Sequence, residues 1–391
     1  MSTKEQLKFH FVFFWGLLFS PFFILRTIVR CRKFIKEGSV VKRVLVVPVL
    51  TRVGDLVCAT PVLRELKLHD PNIEITLMLS RKNEGIVEFN SRIDHRLNIN
   101  NIPHKGFWGR LRFFSTIRRR DFDAVILLTN SPFNNLVSLF SCAPIRAKTI
   151  RQNRLFLEFA TDWFNNYRFL YRDHTSLPRH YLRLLEPLGI FAEGLVKEVF
   201  VSEAGEQKAS RLFARLPSGH PIIGISITAG NKIKEWGDEK FKILAQRLIL
   251  EKNAVVLILG GPGDKPRIDE LVIESNMADK MYGVCDYNLS ELPSLIKRLS
   301  LYIAVDTGPI YIAHALGVPL IDITGPCDGR EQPPEDKISL QVQPDSAIPP
   351  SSFTLKSGGP ENLQQEALSS TPVEKVYNSA VSLLPRETIV S

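Results

Sequence analysis

Four short stretches hold the side chains whose types and spacing could do chemistry. In TRVGDLVCATPVLREL, residues 51–66, Asp55 stands behind Gly54 directly after the apolar run RVLVVPVL. Gly54 lets the backbone bend or approach a ligand closely. A helix N-terminus favours an ionised carboxylate, so Asp55 suits a general base. It equally suits an N-cap that only satisfies backbone amides. In a third arrangement Thr60-Pro61 starts the helix and 51–59 is an exposed loop that still projects Asp55 beyond the strand.

The second stretch, SITAGNKIKEW at 226–236, ends a strand in Thr228, Ala229 and Gly230, followed by Lys232 and Lys234. Small residues expose backbone amides, and lysines bring charge to phosphate oxygens. The spacing is not that of a Walker loop, and solvated loop lysines are the plain alternative. Trp236 reads as packing rather than ligand stacking. The third, ILGGPGDKPRIDE at 258–270, does not meet the dinucleotide fingerprint G-x-G-x-x-G. It reads as a turn after which Asp264 could contact a ligand hydroxyl. In the fourth, AVDTGPIYIAHALGVPLIDITGPCD at 304–328, Asp306, Thr307 and Gly308 close a strand and lead into a helix near Pro309. Amides at that N-terminus suit a diphosphate. Asp306 would repel one unless it accepts hydrogen bonds from a sugar or a lysine, so hydroxyl recognition or loop stiffening fits it.

The elements that must position these residues alternate. RVLVVPVL, EITLML and FDAVILLT read as strands, and PVLRELKLH and RLRFFSTIRRR as helices; residues 150–190 read as helical, ending in HYLRLLEPLGI with Gly189 as the stop. The alternation restarts with PIIGISIT, DEKFKILAQRLILEK, AVVLILGG, NLSELPSLIKRLS (capped by Asn288 or Ser290), LYIAVDTG, IYIAHALG and PLIDITG as the last strand. Such alternation predicts parallel sheets with helices on both faces. The fold class is α/β, with two doubly wound halves broken near 191–220 and ligands expected beyond the strand carboxyl ends, in the cleft between them. Residues 330–369 read as a long loop, and TPVEKVYNSAVSLL as a final helix with Thr371 as N-cap and Pro372 at its first position.

With 391 residues, 44% apolar and 23% charged, the chain can bury two cores. Its net charge of +9 favours anionic partners such as phosphorylated sugars or an acidic membrane face. Zinc-finger spacing, RNA-binding aromatic motifs and long basic tracts are missing, which ranks nucleic acid last. Basic residues at 105–120 and 146–154 suit acceptor phosphates or plain solvated faces. The five scattered cysteines read as reduced thiols in a cytosolic setting.

Residues 9–25, FHFVFFWGLLFSPFFIL, are almost wholly apolar and near the lower length limit for a membrane helix. Arg26, Arg30, Arg32, Lys33 and Lys36 follow, against only Lys4 and Lys8 before. The positive-inside tendency therefore places the body on the cytoplasmic face of the inner membrane, attached through residues 9–29.

The four stretches, in order and spacing, resemble glycosyltransferase family nine, the lipopolysaccharide heptosyltransferases. GDLVCATPVLREL, KEW, DTGPI with ALGVP, and TGPCD carry the likeness across roughly residues 42–385. The resemblance implies a GT-B fold, two Rossmann-like domains facing a central cleft behind the hydrophobic N-terminal helix. The anchor would be 1–36, the acceptor domain 42–200, the donor domain 220–370 and a C-terminal helix 371–391. It implies an inverting transfer from a nucleotide-diphospho-sugar to a lipid-linked or lipopolysaccharide-core saccharide, with Asp55 as general base. Gly54, Thr228, Gly230, Lys234, Asp264, Asp306, Thr307, Gly308 and Tyr311 would bind the substrate or the donor, with no cofactor and no metal. Tyr311 stands where the family commonly has histidine, which opens the donor to a sugar or nucleotide other than ADP-heptose. His314, one turn on, reads as a satisfied core histidine. The rival readings are a GT-B nucleotide-sugar epimerase and a non-catalytic, envelope-associated sugar-binding protein.

Overall fold

The structure is a computed structural model that describes residues 21–101, 106–152, 156–325, 327–331, 336–345, 348, 366 and 368–384. The chain divides into two compact units, Met1–Glu84 with Ser91–Leu195 and Gly85–Asn90 with Val196–Ser391.

The first unit is built on β1 (Arg43–Val47), β2 (Glu74–Leu79), β3 (His95–Asn98), β4 (Ala124–Leu127), β5 (Ile145–Arg151) and β6 (Tyr167–Tyr171). They form one sheet in the order β3-β2-β1-β4-β5-β6. The second unit holds β7 (Ile222–Ser226), β8 (Val255–Leu259), β9 (Met281–Val284), β10 (Leu301–Val305), β11 (Leu320–Ile323) and β12 (Ser339–Val342), in the order β12-β11-β10-β7-β8-β9. Counted from its own first strand, the second sheet repeats the order of the first. Every strand pair in both sheets is parallel. Central strands read as unbroken apolar runs because both faces are covered. Val44 to Val47 and Leu301 to Val305 are wholly buried, each larger side chain stabilising its unit by about 1.5–3 kcal/mol.

Each sheet winds outward, then returns past its first strand. The reversal falls between β1 and β4 in one unit and between β7 and β10 in the other. Ligands of doubly wound sheets bind outside the strand carboxyl ends at such points. That is where the helix Val53–His69 follows β1, residues 227–234 follow β7, and Asp306 follows β10.

The helix Val53–His69 is buried on every side through Leu63, and Pro61 lies inside it. Proline lacks the N–H that would bond the carbonyl four residues back. Thr60 Oγ1 donates to that carbonyl, Val57 O, at 2.7 Å. Thr60→Val should therefore lower the unfolding free energy in urea by about 1–3 kcal/mol, the cost of an unsatisfied buried acceptor.

Several expectations are corrected. Residues 150–190 are not continuously helical: β5 runs to Arg151, the short helices Phe156–Asp162 and Leu177–Arg183 flank β6, and β6 pairs with β5 from Ala147↔Tyr167 to Arg151↔Tyr171. Tyr-Arg-Phe-Leu-Tyr carries little period of its own, and pairing with a neighbour decides it. The stretch expected as loop contains β12, and PLIDITG is not the last strand. The final helix is Val373–Leu383 with Pro372, at φ −77° and ψ 147°, as its N-cap, one residue later than expected.

Residues 9–20 of the expected anchor, and most of 346–365, lie outside the described residues. Among the described residues no helix is long and apolar enough to cross a membrane. Residues 21–36 are helical, with one face docked on the first unit. The Phe23 ring meets Phe140 at 4.4 Å, and Arg30 donates to the carbonyls of Cys142 and Phe122 at 3.2 and 3.3 Å. Arg30 also pairs with Asp121 at 3.0 Å. Phe22, Leu25 and Val29 stay exposed on its other side.

Candidate functional site

In the first unit, β1 delivers the chain to the helix Val53–His69, whose N-cap is Arg52 in an extended conformation (φ −123°). Asp55 lies in the first helical turn and is 5% exposed. It is therefore not the N-cap, and the loop arrangement with a helix beginning at Thr60 is also excluded. Gly54 is buried beside it. Arg52 Nη1 stands 3.6 Å from Asp55 Oδ2. The first-turn amides and this guanidinium both favour the carboxylate. Tyr181, from the helix Leu177–Arg183, is 1% exposed, and its hydroxyl has no hydrogen-bond partner among the described residues. Burial first, then the nearby Asp55 charge, raise its pKa well above the ordinary tyrosine value. Tyr181 thus stays protonated next to an acid, a neighbour that sequence reasoning missed because a helical tyrosine carries no motif.

The second unit gathers most of the remaining candidates. After β7 the chain makes a short 3-10 turn, Lys232–Lys234, stiffened by Asn231 Oδ1 accepting from Ile233 N at 3.3 Å. Lys234 Nζ reaches Asp306 Oδ2 at 2.6 Å, and the Tyr311 hydroxyl donates to Asp306 Oδ1 at 2.6 Å. Burial works against both charges of the pair. Their mutual attraction prevails, raising the Lys234 pKa and lowering that of Asp306. The lysine that answers Asp306 is the one the sequence offered, and Tyr311 points its hydroxyl at Asp306.

Thr228 and Asp264 also come together, Thr228 Oγ1 donating to Asp264 Oδ2 at 3.2 Å and Gly261 N to the same oxygen at 2.8 Å. A Cβ at Gly230 would meet nothing within 4 Å, so no packing of the protein itself requires glycine there. Thr307 is the N-cap of the helix Gly308–Ala315 without a side-chain cap bond, and Gly308 opens that helix. The arrangement is one of open backbone donors, a half-buried ammonium and two fixed carboxylates at a sheet reversal. It can hold a diphosphate against Lys234 and the helix amides, with carboxylates nearby for hydroxyls.

Trp236 packs as expected, 3% exposed, with Nε1 donating to Thr371 O at 3.0 Å. His314 is satisfied but not in the core. It bridges Lys197 (Nζ to Nδ1, 3.2 Å) and Asp336 (Nε2 to Oδ2, 3.1 Å), with 19% of its side chain exposed. Burial, then Lys197, lower its pKa to about 4. The unfolded chain, with histidine near 6.5, binds a proton over that window that the folded chain refuses. This contribution to stability is complete above pH 6.5 and lost as pH falls toward 4. In urea titrations at pH 7 and 4.5, the wild type should lose on the order of 2 kcal/mol more than His314→Gln, the full shift being discounted for partial exposure. Equal losses would count against it.

The basic tract at 146–154 is neither solvated nor open to a ligand at its first positions. Arg146 is 8% exposed with Nε on Phe164 O at 2.7 Å. Lys148 is wholly buried on Asp162, Asn130 and Asn135. Arg112, Arg118 and Arg119 of the earlier tract are exposed. Asp322, missed as one residue in the apolar run PLIDI, is wholly buried in β11. Neither carboxyl oxygen has a hydrogen-bond partner among the described residues. Burial, then Asp306, push its pKa well above the usual range, so it is held neutral. All five cysteines are free thiols.

Comparison with known proteins then places the chain. The profile described as glycosyltransferase family 9 (heptosyltransferase) matches residues 110–344, a span that holds the Lys234–Asp306 cluster and begins after Asp55. A curated relative, lipopolysaccharide heptosyltransferase 3 of Escherichia coli (strain K12), is 27% identical over 288 residues, 70% of this chain and 80% of the relative. Among solved structures, the glycosyl transferase family 9 protein from Veillonella parvula superposes with a TM-score of 0.73 at 22% identity, covering 88% of this chain and 97% of that one. The E. coli ADP-heptose LPS heptosyltransferase II gives 0.68 at 19% identity, covering 87% and 98%.

Proposed function

The chain belongs to glycosyltransferase family 9 (heptosyltransferase), and on that premise we propose that it moves a sugar from a nucleotide-diphospho-sugar to a saccharide of the lipopolysaccharide core, with inversion at the anomeric carbon. The observation that carries the reading is the half-buried Lys234–Asp306–Tyr311 cluster beyond the carboxyl ends of β7 and β10, inside the span matched by the family profile. The proposed GT-B arrangement gives the first unit the acceptor and the second the donor. Lys234 and the first-turn amides of Gly308–Ala315 take the charge of the departing diphosphate. Asp264 and Asp306 orient donor hydroxyls, Thr228 fixes Asp264, and Gly230 leaves room beside the backbone. Asp55 removes the proton of the attacking acceptor alcohol. The relatives' names suggest heptose as the sugar. The apolar run before residue 21 and its basic collar favour attachment at the cytoplasmic face of the inner membrane.

The direct test is a thermal-shift panel of nucleotide-diphospho-sugars on the full chain, followed by transfer assays with the best ligand. One donor should raise the unfolding midpoint by several degrees at about 100 times its Kd. A flat panel would remove the transferase reading. The charge logic requires no divalent cation, so transfer should proceed at an unchanged rate in excess chelator. A loss restored by magnesium would reassign the leaving-group role to a metal.

A further inference from the structure

We infer that the arginine-lined pocket at the open edge of the first unit's sheet binds the phosphate groups of a phosphorylated saccharide acceptor, an inference that rests on the transferase reading. Among the described residues β6 is the outermost strand and pairs with β5 alone. Beside it lies the helix Leu177–Arg183, and the pocket here is lined by Arg168, Arg172, Thr175, Ser176, Arg179 and Arg183 among others, with no carboxylate in its wall among the described residues. Arg183 pairs with Glu186 at 3.3 Å, and the Arg168 guanidinium lies 4.5 Å over the ring of the exposed Trp163. Arg172 and Arg179 make no ion pair among the described residues. Guanidinium groups gathered without counter-charge repel one another, and a phosphate removes that repulsion. The planar fork of arginine also matches phosphate oxygens two at a time.

The wall offers a further donor. The Thr175 hydroxyl spends its proton on Arg172 O, whereas Ser176 Oγ accepts from Arg179 N at 3.5 Å, which leaves the serine proton to give. His180, also in the wall, is 5% exposed with Nε2 3.1 Å from Thr149 Oγ1. Burial and then the Arg183 charge lower its pKa to about 4, so it is neutral there, in keeping with a positive surround. Exposed Leu170 and Trp163 beside the pocket give a sugar ring apolar surface. Arg146 and Lys148 are spent on internal bonds, so these two positions of the nearby tract do not serve a phosphate.

The test compares the full chain with Arg172→Gln/Arg179→Gln and with Arg172→Lys/Arg179→Lys. Inorganic phosphate binding is followed by phosphorus NMR at low ionic strength, and each protein is also assayed for transfer and for sedimentation with phosphatidylglycerol vesicles. Both pairs lie on the surface, so unfolding midpoints should not move. The glutamine pair should weaken phosphate binding at least tenfold and raise the acceptor KM 10- to 100-fold, with kcat and the donor's thermal shift unchanged. The lysine pair should fall between. Phosphate binding lost by the glutamine pair in a chain that transfers no sugar supports the phosphate site and counts against the transferase. Wild-type phosphate affinity in the glutamine pair overturns the site. Loss of vesicle binding with an unchanged acceptor KM overturns the acceptor assignment in favour of a lipid headgroup.

Discussion

Asp55→Asn should reduce sugar transfer by a factor of about 10²–10⁴, the usual worth of a positioned general base, while the donor's thermal shift stays as in the wild type. The substitution keeps size and shape at a first-turn position that is 5% exposed, so the helix Val53–His69 has no steric reason to move. What it removes is the negative charge that the helix amides and Arg52, 3.6 Å away, are arranged to hold. The donor contacts proposed here all lie on the second unit, so nucleotide binding is the internal control. A variant with full kcat would take Asp55 out of the mechanism and leave it as a buried helix-start acid beside Tyr181.

Lys234→Met should cost both stability and donor affinity. The ammonium is 17% exposed and its partner carboxylate 10%, so removing one member leaves the other charged in a half-buried place and should cost about 2–3 kcal/mol, less than a fully buried pair would. Among the described residues Asp306 would then keep the Tyr311 hydroxyl. The double variant Lys234→Met/Asp306→Asn should recover most of that loss in urea titrations, since the stranded charge has gone. Donor affinity should not recover. It should stay 10- to 100-fold below wild type in both variants, the worth of about 1.5–3 kcal/mol for a hydrogen bond to a charged group. Recovery of donor binding in the double variant would make Lys234 a structural counter-ion only.

The central strands were legible because burial on two faces writes them as apolar runs, as in RVLVV and LYIAV. The same logic fails at the sheet edges. His95–Asn98, Tyr167–Tyr171 and Ser339–Val342 carry too little apolar pattern to announce themselves, and are strands because a formed neighbour offers them hydrogen bonds. The candidate site was legible in its residue types, since Lys234, Asp306 and Tyr311 follow β7 and β10 in the chain and meet. It was less so in its partnerships. The roles of His314, tied to Lys197 at 117 residues' separation, and of Arg146, turned inward to Phe164, depend on contacts that no local spacing encodes. Asp322 was invisible for the opposite reason, a polar residue sharing an otherwise apolar strand without a motif around it.

Every strand pair in both sheets is parallel, and that has a kinetic cost. Parallel neighbours cannot be joined by a tight hairpin, so each pairing closes only after an intervening crossover has been crossed. Chains dominated by such distant pairings collapse slowly, and their unpaired edges are exposed to other copies meanwhile. Refolding from denaturant should therefore take seconds or longer and lose yield steeply as protein concentration rises.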